Sequence, residues 1–107
     1  MNYRFMRVIV FFDMPTITAQ DKRAYHHFHK FLIKSGFVMM QYSVYSKLIL
    51  NTTMANILCK NIRKEVPNND STIQLLMITE KQYSRMEFLV GEKRSSILDD
   101  DRRLVIL

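Results

Sequence analysis

The order of apolar segments predicts an α+β domain, a ferredoxin-like βαββαβ sandwich with two helices over a β-sheet. Three observations carry this. β-rich and helix-periodic stretches alternate along the chain as strand, helix, strand or hairpin, helix, strand. The 107 residues leave room for one hydrophobic core, so 1–107 reads as a single domain. The first strand is apolar on both faces, although only two helices are available to cover it.

The first strand runs from about residue 4 to residue 13. One face reads Phe5, Arg7, Ile9, Phe11, Asp13 and the other Met6, Val8, Val10, Phe12. Pro15 ends it, since proline cannot donate to a ladder. Thr18-Ala-Gln-Asp21 has the form of a capping box with Asp in place of Glu, and Gly36 closes the helix it opens. Ala24, Tyr25, Phe28, Phe31, Leu32 and Ser35 form the inward stripe of that helix. Residues 37–50 (FVMMQYSVYSKLIL) are β-rich and too long for one average strand, which predicts a bent strand or a tight hairpin near Ser46-Lys47. Asn51-Thr52-Thr53 caps a second helix reaching about Glu65, with Met54, Leu58 and Ile62 inward. Residues 66–70 are a turn. Residues 72–79 (TIQLLMIT) form a strand, 80–85 a short polar connection and 86–90 (MEFLV) one more strand. Residues 91–103 read as a mobile charged segment, and 104–107 (LVIL) as a C-terminal strand.

With no third helix predicted, the sheet of a second protomer is the economical cover for the open face. The expectation is a homodimer packed through its sheets, in which residues 104–107 can be exchanged onto a partner's sheet edge.

Composition narrows the setting. A 48% hydrophobic content with two glycines and two prolines excludes low complexity and disorder. No apolar run reaches membrane-spanning length, and Arg4 and Arg7 interrupt the first strand too early for a signal peptide. The single cysteine, Cys59, excludes an internal disulfide and fits a reducing, cytoplasmic compartment; its helical position suits a packed thiol rather than a nucleophile. The eight methionines read as core filler. No phosphate-cradling glycine loop, Ser-His-Asp set or paired-cysteine motif is present.

Net charge is +6, from sixteen basic and ten acidic residues, which points to a polyanionic partner. Lys22, Arg23, His26, His27, Lys30 and Lys34 share the outer face of the first helix, with no acid after Asp21. Arg63 and Lys64 on the second helix, and Lys93, Arg94, Arg102 and Arg103 near the end of the chain, add to the total. Doubled by a two-fold axis, this becomes an extended positive surface suited to a duplex backbone. The histidines of His26-His27-Phe28-His29 read as solvated surface residues, because no second ligand cluster exists to complete a zinc tetrahedron.

Asp13 closes the apolar run VFFD. In a two-fold dimer packed through its sheets, a residue at the end of a central strand can meet its own symmetry mate. Two close carboxylates repel or share a proton unless a cation lies between them, and Mg²⁺ suits such a site because it keeps waters and binds phosphate oxygens. The competing reading is an Asp that caps the following turn.

The stretches YRFMRVIVFFDMPT, KRAYHHFHKFLIKSGFVMMQYSVYSKL and LLMITEKQYSRMEFLVGEK resemble the small CRISPR-associated endoribonuclease family, the companion of the CRISPR integrase in spacer acquisition. The resemblance runs from Tyr3 to about Glu92 and more weakly through residues 103–106. Its specificity lies in the ordered set Asp13-Met-Pro-Thr, Gly36-Phe37, Gln41-Tyr-Ser-Val-Tyr45 and Thr79-Glu-Lys-Gln82. It implies a ferredoxin-like homodimer and an endonuclease-type site dependent on Mg²⁺ or Mn²⁺ at Asp13 of both protomers. It further implies a bridging place between integrase dimers on double-stranded protospacer DNA, with RNA as the other substrate of the family. Two alternatives stand beside this one: a stand-alone messenger-RNA-cleaving toxin of the same fold, and a non-catalytic ferredoxin-like binding module.

Overall fold

Strict alternation along Met6–Asp13 (β1) sends Met6, Val8, Val10 and Phe12 to one side of a sheet and Arg7, Ile9, Phe11 and Asp13 to the other. In the computed structural model, which describes residues 5–91, β1 is an inner strand of a four-stranded antiparallel sheet. The remaining strands are Val38–Gln41 (β2), Val44–Ile49 (β3) and Thr72–Thr79 (β4), in the order β2-β3-β1-β4. Arg7 faces Leu48 on β3 and Ile78 on β4, and Asp13 faces Thr72. This is the expected α+β, ferredoxin-like arrangement.

The two long helices, Ala19–Lys34 (α1) and Thr52–Glu65 (α2), form the second layer. The capping box at α1 is present: the Asp21 amide donates to Thr18 Oγ1, and the Thr18 amide to the Asp21 carboxylate. Gly36, at φ 93°, ends α1 in the left-handed region, where a side chain would be strained. Asn51 Oδ1 caps α2 by accepting from the Met54 amide. Val8, Val10 and Phe12 from β1, Phe28 and Leu32 from α1, Tyr45 and Ile49 from β3, and Ala55, Cys59 and Ile62 from α2 are buried together. Burial pushes the Cys59 thiol pKa up, as a packed thiol requires.

Four expectations need correction. The hairpin turns at Tyr42-Ser43 rather than near Ser46-Lys47. Ser43 takes φ 65°, and Ser46 and Lys47 continue the β3 ladder opposite Ile9 and Val8. A polar Tyr-Ser pair at the tip was the better turn signal, because the small serine tolerates a left-handed residue more readily than a branched one. Met54 points outward, and Ala55 with Cys59 takes the inward position beside Ile62, one residue out of phase with the expected stripe. Residues 80–85 contain a third helix, Glu80–Ser84 (α3), opened by a Thr79–Gln82 capping box. Residues 86–90 are not a strand. Phe88, Leu89 and Val90 are exposed, with no ladder partner among the described residues.

The third helix also alters the account of the open sheet face. The Glu80 amide donates to the Phe5 carbonyl at 3.1 Å, and the chain then folds back over Arg7. Ile9 and Ser46 lie on this face yet are only 2% exposed, while Phe11, Val38, Leu48 and Leu76 are partly exposed, at 36–45%. Among the described residues, α3 lies over the Arg7 part of this face and Phe11, Leu48 and Leu76 keep partial exposure. The segments 92–103 and 104–107 lie outside the described residues.

Candidate metal centre and nucleic-acid interface

Asp13 emerges at the end of β1 on the open side, in line with Ile9 and Phe11, and is exposed. Its neighbourhood is built by the β2–β3 turn and by α1. The Phe12 amide donates to the Ser43 carbonyl at 3.1 Å, tying the turn to the strand end. On the helix side Phe12 packs in an aromatic cluster. Its ring stacks on Tyr45 (5.4 Å, 22°) and meets Phe28 edge-on (5.5 Å, 85°) and Tyr25 at a tilt (6.0 Å, 58°). Asp13 is therefore an exposed carboxylate on a rigidly packed strand.

The described part of one protomer offers a hard cation little else. It contains no group of three or more His, Cys, Asp and Glu side chains able to hold a metal. Asp13 could supply one ligand to a Mg²⁺ site, since Mg²⁺ takes one or two carboxylates and retains its hydration.

The expected cationic residues lie where the periodicity placed them. Lys22, Arg23, His26, His27, Lys30 and Lys34 are all exposed on α1, and Arg63 and Lys64 are exposed at the end of α2. Lys22 to Lys34 spans about 18 Å of helix at 1.5 Å per residue. His27 Nε2 and Glu65 Oε1, 3.0 Å apart, join the two helices. The sheet separates this cationic layer from the face that carries Asp13. Lys93, Arg94, Arg102 and Arg103 lie outside the described residues.

Two groups escaped the sequence reading. Arg7 makes a two-pronged ion pair with Glu80 (Nε–Oε1 2.9 Å, Nη2–Oε2 2.7 Å), and its guanidinium carbon sits 4.1 Å from the Tyr83 ring centroid. His29 is not a solvated surface residue: its Nδ1 lies 2.8 Å from the Tyr45 hydroxyl, and its ring stacks on Tyr25. Burial, with His26 nearby, lowers the His29 pKa, while burial lifts Tyr45 to about 12. The four-residue spacing of Tyr25 and His29 placed them on one helix face. Only the fold brings Tyr45 to them.

An exposed strand-end carboxylate on one side of a ferredoxin-like sheet, with a cationic helix layer on the other, defines a small α+β protein of the ferredoxin-like class. The family described as CRISPR associated protein Cas2 matches residues 6–86, and this chain belongs to that family. It is 50% identical over 102 residues to a CRISPR-associated endoribonuclease Cas2 of Treponema denticola, covering 95% of this chain and 100% of the relative. A protein of the same description from Streptococcus mutans is 47% identical over 102 residues, covering 95% and 93%. A solved structure, described as a crystal structure of Cas2, superimposes with a TM-score of 0.58 at 18% identity, over 85% of this chain and 92% of that one, and shares the fold.

Proposed function

We propose that this chain is a spacer-acquisition subunit that works as a homodimer, bridging integrase dimers and holding duplex DNA along its cationic helices. A phosphodiester-cleaving site is formed by Asp13 of both protomers. The observation that carries this reading is the division of the molecule into two sides. The exposed cations of α1 run along one layer, and Asp13 stands at the rim of a partly open apolar sheet face on the other. Phe11, Leu48 and Leu76 on that face suit burial against a second sheet, which would bring the two Asp13 carboxylates together. Mg²⁺ or Mn²⁺ held there would supply Lewis acidity at a scissile phosphate. Asp13 would hold the cation, the packed Phe12 keeps the strand end in place, and the helix cations would neutralise backbone phosphates without reading bases. The relatives' description as endoribonucleases favours RNA as the substrate of the cleavage site, with duplex DNA as the bound partner.

One preparation tests both parts. Asp13→Asn keeps the size of the side chain but loses the charge that attracts a hard cation, and is expected to abolish metal-dependent cleavage while leaving duplex binding and the dimer intact. Reversal of Lys22, Arg23, Lys30 and Lys34 to Glu is expected to abolish duplex binding. Retained cleavage in Asp13→Asn refutes the site, and retained salt-dependent binding in the reversed chain refutes the interface. Messenger-RNA cleavage in cells with no association with an integrase would favour the toxin-type alternative.

A further inference from the structure

We propose that His29, neutral and accepting the Tyr45 hydroxyl proton, is a positioning residue that clamps the β2–β3 turn and the Asp13 end of β1 to α1. The inference rests on the nuclease reading above only for its consequence in cleavage; the clamp itself stands on geometry. Tyr45 is 1% exposed, so its hydroxyl has little access to water, and His29 Nδ1 at 2.8 Å is its hydrogen-bond partner. The phenol stays protonated over the working pH range and donates. Nδ1 therefore accepts, and the imidazole proton sits on Nε2.

Two contacts carry this arrangement to the strand end. Tyr45 stacks on Phe12, whose amide is bonded to Ser43, and Asp13 follows directly. Tyr25 stacks parallel to His29 at 6.1 Å and 6°, and burial with the nearby Tyr42 of the turn raises its pKa, so the turn lies against the same pair of helix residues. The titratable groups facing His29 are His26 and Tyr25 on α1 and Tyr45 on β3; Tyr42 in the turn acts on Tyr25 and Tyr45, and β1 contributes the uncharged Phe12 behind Tyr45. Protonation turns Nδ1 from acceptor to donor, so the buried Tyr45 hydroxyl hydrogen must find another acceptor. It also puts a cation beside His26, between the stacked ring of Tyr25 and the edge-on ring of Tyr45. Acid therefore loosens the clamp, and the turn and Asp13 lose their fixed relation to the helix layer.

The test follows the backbone amides of Phe12, Asp13 and Ser43 and the His29 ring by NMR in the full chain, from about pH 8 to about pH 5. The wild-type amides are expected to move with the His29 ring and share its midpoint. His29→Asn places an oxygen acceptor near the Nδ1 position without titrating; the shared transition should vanish and the amides should stay at their high-pH positions. His29→Phe, which keeps a ring but no acceptor, should shift them at every pH, and recovery by Asn separates hydrogen bonding from simple packing. In Tyr45→Phe the His29 midpoint should change and the amides should no longer follow it. His26→Asn should leave the shared transition in place. An unchanged amide transition in His29→Asn, or amides that ignore the His29 midpoint in wild type, overturns the proposal. In a cleavage assay, wild type should lose about tenfold in rate across the same interval, a loss absent from His29→Asn. If wild type cleaves at no pH, the nuclease reading fails and the amide titration alone decides the clamp.

Discussion

Replacing Arg7 by Met and Glu80 by Gln, singly and together, measures what holds α3 over the open sheet face. The ion pair is two-pronged, at 2.9 and 2.7 Å, and its side chains are 18% and 35% exposed. Fully exposed pairs contribute about 0–1 kcal/mol, and hydrogen bonds to charged groups about 1.5–3 kcal/mol. A half-buried, bidentate pair falls between them, so the coupling energy should be about 1–2 kcal/mol. Arg7→Met also loses the contact with Tyr83, worth about 0.5–1 kcal/mol, but keeps an apolar stem against the sheet. The Arg single variant should therefore be the more destabilised of the two. Urea unfolding followed by circular dichroism gives the four stabilities, at one protomer concentration so that any association does not distort the cycle. The coupling should shrink as salt is raised, because the Glu80 side is partly open to solvent. A coupling below about 0.5 kcal/mol would refute the reasoning. It would leave α3 held by the Glu80–Phe5 backbone bond and its apolar contacts alone.

Gly36→Ala should lower stability by about 1–2 kcal/mol, because φ 93° strains any side chain, and thermal unfolding should show it as a lower Tm. The new methyl would also meet Lys47 Nζ at 2.9 Å, displacing the ammonium from its bond to the Ser35 carbonyl, though that flexible side chain can move. Stability should depend on pH through His29. Its folded pKa lies below the ordinary value of about 6.5, so the unfolded chain binds the proton more readily. The stability from the neutral ring is complete above that value, declines as pH falls through it, and levels off below the folded pKa. His29→Asn should flatten this part of the profile in denaturant titrations repeated at several pH values.

The amino-acid sequence by itself determined most of the fold because its signals are local. Alternation along β1, the Thr18–Asp21 capping box, Gly36 at the end of α1 and the run TIQLLMIT each act within a few residues, and all four appear where expected. It also placed Asp13 at a strand end and the lysines and arginines of α1 on an exposed face, since a strand's period of two and a helix's 3.6 decide such placements. Met54 was misplaced because a stripe read from three apolar residues leaves the helix phase open by one position. The small Ala55, which fits close to the sheet, settled that phase. Only the tertiary structure decided what spans the chain. Arg7 and Glu80 are 73 residues apart, and His29 and Tyr45 are 16 apart on different elements. No periodicity encodes either pair. Each forms because the antiparallel order β2-β3-β1-β4 brings its elements within hydrogen-bonding reach, where burial gives a polar side chain strong reason to find a partner.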